Sequence, residues 1–416
     1  MANRNILISG ASVAGPALAF WLRRYGFNPT IVERAPAPRA GGQAVDLRGT
    51  ARQVIERMGI MDSVRRAHTG TQGMYVVNSA GKRLARMGAD AMNGDGGLIA
   101  EIEILRSDLV HILHEATRND VEYIFDDSIT GMTEDDQGAH VTFERGAPRV
   151  FDLVVGADGL HSNVRRLAFG DESNFVRDLG CYVAIFGAAN EYGLDDWELM
   201  YNIPGNRHTS GETVLLYPVR RNREVRATFF FAAPDLRVDR HDSARQKQAV
   251  ATTFAREGWE IPRLLDAMWA APEFYCDQVA QVQLDQWSRG RVTLLGDAAY
   301  CPSPMAGMGT SLALVGAYVL AGELAASAGD SYTTAFASYQ QQMQEAVRQA
   351  QKFASSAPMS LLPKSGYQMW MVHQVMRLMS HWPFKGLATS GVEKAANAVT
   401  LKEYRTPQNV TPLPTH

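Results

Sequence analysis

The chain opens on a short apolar run, Ile6-Leu7-Ile8, between Asn5 and Ser9, and the run breaks at Gly10. Branched side chains in an unbroken apolar stretch read as a buried strand. Gly10-Ala11-Ser12-Val13-Ala14-Gly15 follows; Pro16 to Tyr25 reads as a helix, and Phe27 to Glu33 as a second strand ending in an acid. The pattern of apolar strand, glycine and acid occurs twice more. Asp152-Leu153-Val154-Val155-Gly156-Ala157-Asp158-Gly159 closes on a glycine-flanked acid, and Ser162 is placed to cap a short helix containing Arg165 and Arg166. Gly290 to Ala299 closes on Asp297; Pro304, Gly307 and Gly309 then lead into a helix predicted over Thr310 to Ala326.

Between these motifs the period changes to two. Cys181 to Ala188, Glu198 to Asn202, Thr213 to Pro218 and Val225 to Ala232 read as strands of one sheet within Cys181 to Ala233. Ser243 to Glu257 and Pro262 to Ala271 read as helices, and Ser331 to Ser356 as a long one. In that long helix Phe336, Tyr339, Met343, Val347 and Ala350 recur at three- and four-residue steps. Gly366 to Met379 is rich in methionine and aromatics, which suits a helix packed across two domains. No internal repeat is visible. The division that follows is a discontinuous first domain over 1–175 and 276–330, a sheet domain over 176–275, bridging helices over 331–405, and a loose tail over 406–416 with three prolines.

Composition narrows the function classes. A chain of 416 residues is too long for one ordinary core. Its net charge of −3, with mixed signs, gives no basic face for nucleic acid. Cys181, Cys276 and Cys301 form no C-x-x-C pair, so neither a disulfide framework nor a metal site is expected. The N-terminus lacks the pattern of a signal peptide. Gly366 to Phe384, read as the richest apolar stretch, is interrupted by Gln368, His373, Gln374, Arg377 and His381, so no membrane span is expected and the cytoplasm is the default address. No Ser-His-Asp arrangement, H-E-x-x-H or paired carboxylates ask for a catalytic role, which suits chemistry carried by a cofactor.

The first strand-turn-helix-strand unit is of the dinucleotide-binding type. Its turn lets backbone N–H groups and the positive end of a helix face a pyrophosphate. Glu33 lies where an acid accepts hydrogen bonds from a ribose. The middle glycine of G-x-G-x-x-G is replaced by Ser12, whose Cβ crowds a phosphate while its hydroxyl can donate to one. The helix after Gly309 offers a second set of unpaired N–H groups.

Taken together, the three motifs resemble the class A flavoprotein monooxygenases, the para-hydroxybenzoate hydroxylase-like group, over roughly residues 4 to 350. The layout without a long C-terminal extension is similar to tetracycline-inactivating and polyketide-tailoring flavin hydroxylases. The resemblance implies an α/β fold: a Rossmann-like FAD-binding domain, a β-sheet substrate domain and C-terminal helices. It places Gly10, Ser12, Ala14 and Gly15 at the FAD pyrophosphate, Glu33 at the adenosine ribose and Arg34 beside the adenine. Arg106 would reach the phosphate and ribityl region, Asp158 would serve both FAD and NADPH, and Asp297 would bind the ribityl chain or pyrophosphate. Pro304, Gly307, Gly309 and Thr310 would border the isoalloxazine ring, and Arg39, Gly42 and Asp46 would lie on a loop passing close to it. Phe186, Tyr201, Tyr217, Phe229 and Met305 are the candidate substrate contacts. Three departures stand out: Tyr300 where histidine is usual, Ser311 where asparagine is common, and Gly316 where an acid is common.

The implied reaction uses NADPH or NADH to reduce FAD, then O2 to form a flavin C4a-hydroperoxide that hydroxylates an electron-rich aromatic, phenolic or polyketide-like small molecule. No second nucleotide cradle is present, so NADPH would bind across a surface groove near Asp158 and Arg165. A monomer or homodimer is expected. Two other readings stay open on the sequence: a flavin dehydrogenase or Baeyer–Villiger-type oxygenase, and a non-catalytic FAD- or drug-binding protein.

Overall fold

The computed structural model describes residues 4–38, 41–88, 102–205, 211–232, 239–240, 242–327, 331–356, 362–379 and 390–405. Its first layer is a six-stranded sheet. The strand order is Ser288–Arg289, Val292–Leu294, Leu153–Gly156, Asn5–Ser9, Asn28–Glu33 and Glu122–Phe125. All its pairings are parallel except the one between the first two strands. The three apolar runs seen in the sequence are therefore neighbours. Ile6, Leu7, Ile8, Leu153, Val154 and Val155 are fully buried, as strands covered on both faces must be.

Helix Ala14–Arg24 packs on helix Gly309–Ala326, with Trp21 edge-on to Tyr318 at 4.8 Å between ring centroids. Gly309–Ala326 is apolar on every side because it is a core helix. Among the described residues it is the helix long and apolar enough to cross a bilayer by length and composition, and 78% of it is buried inside the protein. The stretch near Gly366, expected to be the richest apolar run, is not that helix.

The second layer is a seven-stranded sheet. Its order is Phe274–Val282, Val176–Ala189, Glu224–Phe231, Glu212–Val219, Trp197–Ile203, Gly73–Val77 and Arg83–Gly88. It extends past 176–275 at both edges. Gly73–Val77 joins it in parallel with Trp197–Ile203, a long-range pairing that local alternation does not announce. A two-stranded antiparallel ribbon, Ala44–Leu47 with Ile102–Leu105, runs beside it.

Register decides which side chains face which layer. Phe186, Tyr201 and Phe229 pack with Phe254, Leu264 and Met268 of helices Ser243–Phe254 and Ile261–Ala270 on the outer face. Their expected role as substrate contacts is corrected by this register, which turns them away from the two-stranded ribbon and from Met305. Tyr217 lies on the inner face with Leu105 and Val219, and Met305 meets Cys181, Val183 and Ile185 there. The predicted helices appear as Tyr332–Ser356 and Gly366–Met379, and the proline-containing tail lies outside the described residues. All three cysteines are buried and unbridged, and burial pushes the Cys181 and Cys276 thiols up to about 12.

Candidate functional site

The first turn is fixed by close backbone approach. Gly10 has φ +108°, and a Cβ there would lie 2.5 Å from the Ala157 carbonyl oxygen. A Cβ on Gly15 would lie 1.9 Å from the Gly10 carbonyl oxygen. Both positions exclude a side chain for reasons internal to the fold. Glu33 braces the turn by accepting from the N–H of Ala11 at 2.8 Å and of Ala35 at 2.9 Å. Ser12 is half-buried in the turn, and Arg34 is exposed just beyond Glu33. Helix Ala14–Arg24 starts with no side-chain cap and no acid in its first turn. Its first N–H groups remain available to an anion.

Helix Gly309–Ala326 starts the same way, without a side-chain cap or an acid in its first turn. The two starts meet at Gly296, where a Cβ would lie 3.3 Å from Ala14 Cβ and 3.5 Å from Ala313 Cβ. Asp297 follows directly. Its side chain is exposed, yet the surrounding protein pushes its carboxyl above the usual range, opposed by a hydrogen bond with Cys301 and by Arg106. An accessible carboxylate ringed by protein is what a recess produces. Its Oδ1 lies 3.4 Å from where a side chain on Gly309 would begin.

Other predicted positions fall along the same recess. Arg106 opens helix Arg106–Glu115, donates its N–H to Gln43 O at 3.0 Å, and holds its Nε 3.1 Å from the Cβ position of Gly42. Gly307 has φ +60°, and its Cβ position is 3.3 Å from Asp46 Oδ2. Asp46 pairs with Arg48 at 2.7 Å. Ser311 Oγ donates to the Asp46 carbonyl at 3.1 Å and accepts from the Arg48 N–H at 3.0 Å, tying the two-stranded ribbon to the helix start, where Thr310 is the second residue. Pro304 and Met305 form the turn before it, held by Met305 N–H to Ser303 Oγ at 3.2 Å. Arg39 lies outside the described residues.

Two residues were not singled out by sequence and belong to the surroundings. Tyr275 is 47% exposed, yet the surrounding protein pushes its phenol up, with Asp277 adding to the push and Arg106 opposing it. His161 lies between two carboxylates, Nδ1 2.9 Å from Glu172 and Nε2 2.9 Å from Asp277. Glu172 is also 3.3 Å from the buried Arg165. Asp277 is 116 positions away in the chain, so local spacing could not find the pair. Asp158 is set apart from the recess residues by its partners. It accepts from Ser162 Oγ, Val164 N–H at 3.1 Å and Ser9 Oγ at 3.3 Å, while burial pushes its carboxyl up.

The His161 clamp carries a pH prediction. The bond to Asp277, then that to Glu172, raises the imidazole to about 9 against an ordinary 6.5. A raised basic group contributes stability that is full below the unfolded value and lost as pH climbs through the folded one. Wild-type unfolding free energy should therefore drop by up to about 3 kcal/mol across that window. Denaturant unfolding from pH 6.5 to 9 checks this, and His161→Asn should flatten the fall. An equal fall in both proteins would remove His161 as its source.

Two open helix starts converging beside an accessible acid fit a dinucleotide with a diphosphate, and the comparisons agree. The FAD binding domain family matches residues 3–354. A Mycobacterium tuberculosis protein described as uncharacterized is 47% identical, over 81% of this chain and 88% of its own length. A flavin-dependent monooxygenase of Legionella longbeachae is 38% identical, over 87% of this chain and 90% of its own. The crystal structure of tetracycline destructase Tet(55) superposes with a TM-score of 0.81 at 36% identity, covering 97% of this chain and 99% of that one. The chain thus belongs to the FAD-binding-domain family of flavin-dependent monooxygenases, and FAD is its cofactor.

Proposed function

We propose that this enzyme hydroxylates an electron-rich aromatic, phenolic or polyketide-like small molecule, using NADPH or NADH and O2. The observation that carries the reading is the recess from the two helix starts at Gly296–Asp297, past Asp46 and Arg106, toward the inner face of the sheet at Tyr217 and Met305. The segments 1–175 and 276–330 would hold FAD, and the sheet centred on 176–275 would hold the substrate.

Bound FAD supplies electron transfer from the nicotinamide and activation of oxygen. The chain's own residues bind, orient and stabilise charge. Gly10, Ser12, Ala14 and Gly15 would hold the pyrophosphate at the start of helix Ala14–Arg24. Glu33 would turn to the ribose and Arg34 to the adenine. Arg106 and Asp297 would grip the ribityl-diphosphate stretch. Pro304, Gly307, Gly309 and Thr310 would border the ring, and Arg39, Gly42 and Asp46 would belong to a loop close to it. Asp158 would act through the turn that it holds, toward FAD and NADPH. The positive start of helix Gly309–Ala326 favours negative charge on the reduced ring, a preorganised contribution that needs no rearrangement. Tyr217 and Met305 would touch substrate, with water excluded by the two layers. We place the enzyme in the cytoplasm, as a monomer or homodimer.

The test is product mass under labelled oxygen, with NADPH and a panel of phenols and polyketides, tetracyclines among them. A product carrying one labelled atom is expected. NADPH consumption yielding peroxide alone across the panel would instead favour another flavin oxidoreductase.

A further inference from the structure

Three carboxyl side chains act on one another at the seam between the two-stranded ribbon and the inner face of the sheet. Asp46 and Glu103 are paired across the Ala44–Leu47/Ile102–Leu105 ladder, and Glu198 comes from strand Trp197–Ile203. Glu103 Oε2 accepts from Thr69 Oγ1 at 2.6 Å and Thr71 Oγ1 at 2.9 Å. Glu198 is only 4% exposed, and among the described residues its carboxyl has no hydrogen-bond partner. The cation acting on Asp46 and Glu103 is Arg48. On the sheet side, Tyr217 stays neutral because burial pushes its phenol up, with Glu103 and Glu198 adding to the push. Arg226, the cross-strand neighbour of Tyr217, is turned to the Gly42 carbonyl at 3.1 Å and to Glu224 at 3.6 Å.

Three ionised carboxylates against one guanidinium would leave two uncompensated charges in a buried seam. Such groups take up protons instead. Burial, then Asp46, raises Glu103 to about 7. Burial, then Glu103 and Asp46, holds Glu198 well above the usual carboxylate range. The cluster therefore holds protons more tightly than isolated carboxylates do, with Glu198 and Glu103 both raised by burial and by their acidic neighbours. One end of it points at the cofactor recess, since Asp46 Oδ2 is 3.3 Å from the Cβ position of Gly307. At the other end Glu103 is held by the buried Thr69 and Thr71, which flank the exposed Gly70.

We propose that the Asp46–Glu103–Glu198 cluster binds one proton from solvent each time the bound FAD is reduced, and releases it on reoxidation. This rests on the reading that Asp46 and Gly307 flank the flavin. NAD(P)H passes a hydride to oxidised FAD, giving NAD(P)+ and anionic FADH−. The new negative charge, added beside Asp46, raises the proton affinity of the whole cluster, and Glu103 takes one proton from water. Two electrons thus bring in two protons, one on the flavin within the hydride and one on the cluster. By reciprocity, proton loss from the cluster makes the flavin harder to reduce.

The experiment is spectroelectrochemical titration of the FAD-loaded enzyme across about one pH unit either side of the Glu103 value, which is near 7. Wild type should show a midpoint potential falling about twice as steeply with pH as in Glu103→Gln, because two protons rather than one accompany two electrons. Thr69→Val removes a donor to the ionised carboxyl, so its steep region should move to higher pH; this variant serves if Glu103→Gln loses FAD. Equal slopes in FAD-loaded wild type and Glu103→Gln, or an unmoved steep region in Thr69→Val, would overturn the proposal alone. A wild-type chain that takes up no FAD would instead overturn the reading of the recess, and this proposal with it.

Discussion

Asp297→Ala is expected to raise the FAD dissociation constant by roughly 10- to 150-fold, the loss of one charge-assisted hydrogen bond of about 1.5–3 kcal/mol. The side chain is exposed, and it hydrogen-bonds with Cys301. Removing it should therefore spare the fold. Asp158 is the contrast. Its carboxylate engages Ser162, Val164 and Ser9, so Asp158→Ala leaves three donors short of an acceptor and should cost stability first. Flavin fluorescence titration and urea unfolding on both variants separate the two roles. An unchanged FAD dissociation constant in Asp297→Ala would take that residue out of the site.

The contrast shows what the sequence could carry. Asp158 and Asp297 look alike as text, each an acid after an apolar strand and a glycine. What distinguishes them is the next few residues: Ser162 and Val164 close back on Asp158, whereas Gly309 leaves room beside Asp297. The central strands of the first sheet were legible because short apolar runs that break at a glycine have few other uses, whereas its edges, Glu122–Phe125 and Ser288–Arg289, carry no such run. The second sheet was legible in part. Alternation gives the strands but not the layer each face meets, so aromatic content favoured Phe186, Tyr201 and Phe229, which are core. Glu103 and Glu198 are polar letters in apolar strands, a local signal of something buried. Their meeting with Asp46 depends on pairings far apart in the chain and could not be read locally.

Gly316→Ala is expected to destabilise the protein by about 1–3 kcal/mol through overpacking, and Tyr300→His should relieve much of that cost. A Cβ at 316 would lie 2.2 Å from the Tyr300 hydroxyl and 3.0 Å from Leu295 Cδ1. The phenol has nowhere to retreat. Tyr300 is buried against Trp287 at 4.6 Å between centroids, and its hydroxyl lies 3.1 Å from that of Tyr339, itself 3.1 Å from the Leu294 carbonyl oxygen. Two of the three departures from the family pattern are therefore one event. A tyrosine in the place of histidine fills the volume that a side chain at 316 would need, and glycine at 316 is its counterpart. The pair also concerns the cofactor, because Tyr300 closes the four-residue turn that begins with Asp297. A double-mutant cycle in urea checks the coupling: the Tyr300→His/Gly316→Ala protein should be more stable than the sum of the two single losses allows, by an amount typical of residues in contact. Strictly additive losses would mean that Tyr300 and Gly316 vary independently, and the steric account of both departures would fall.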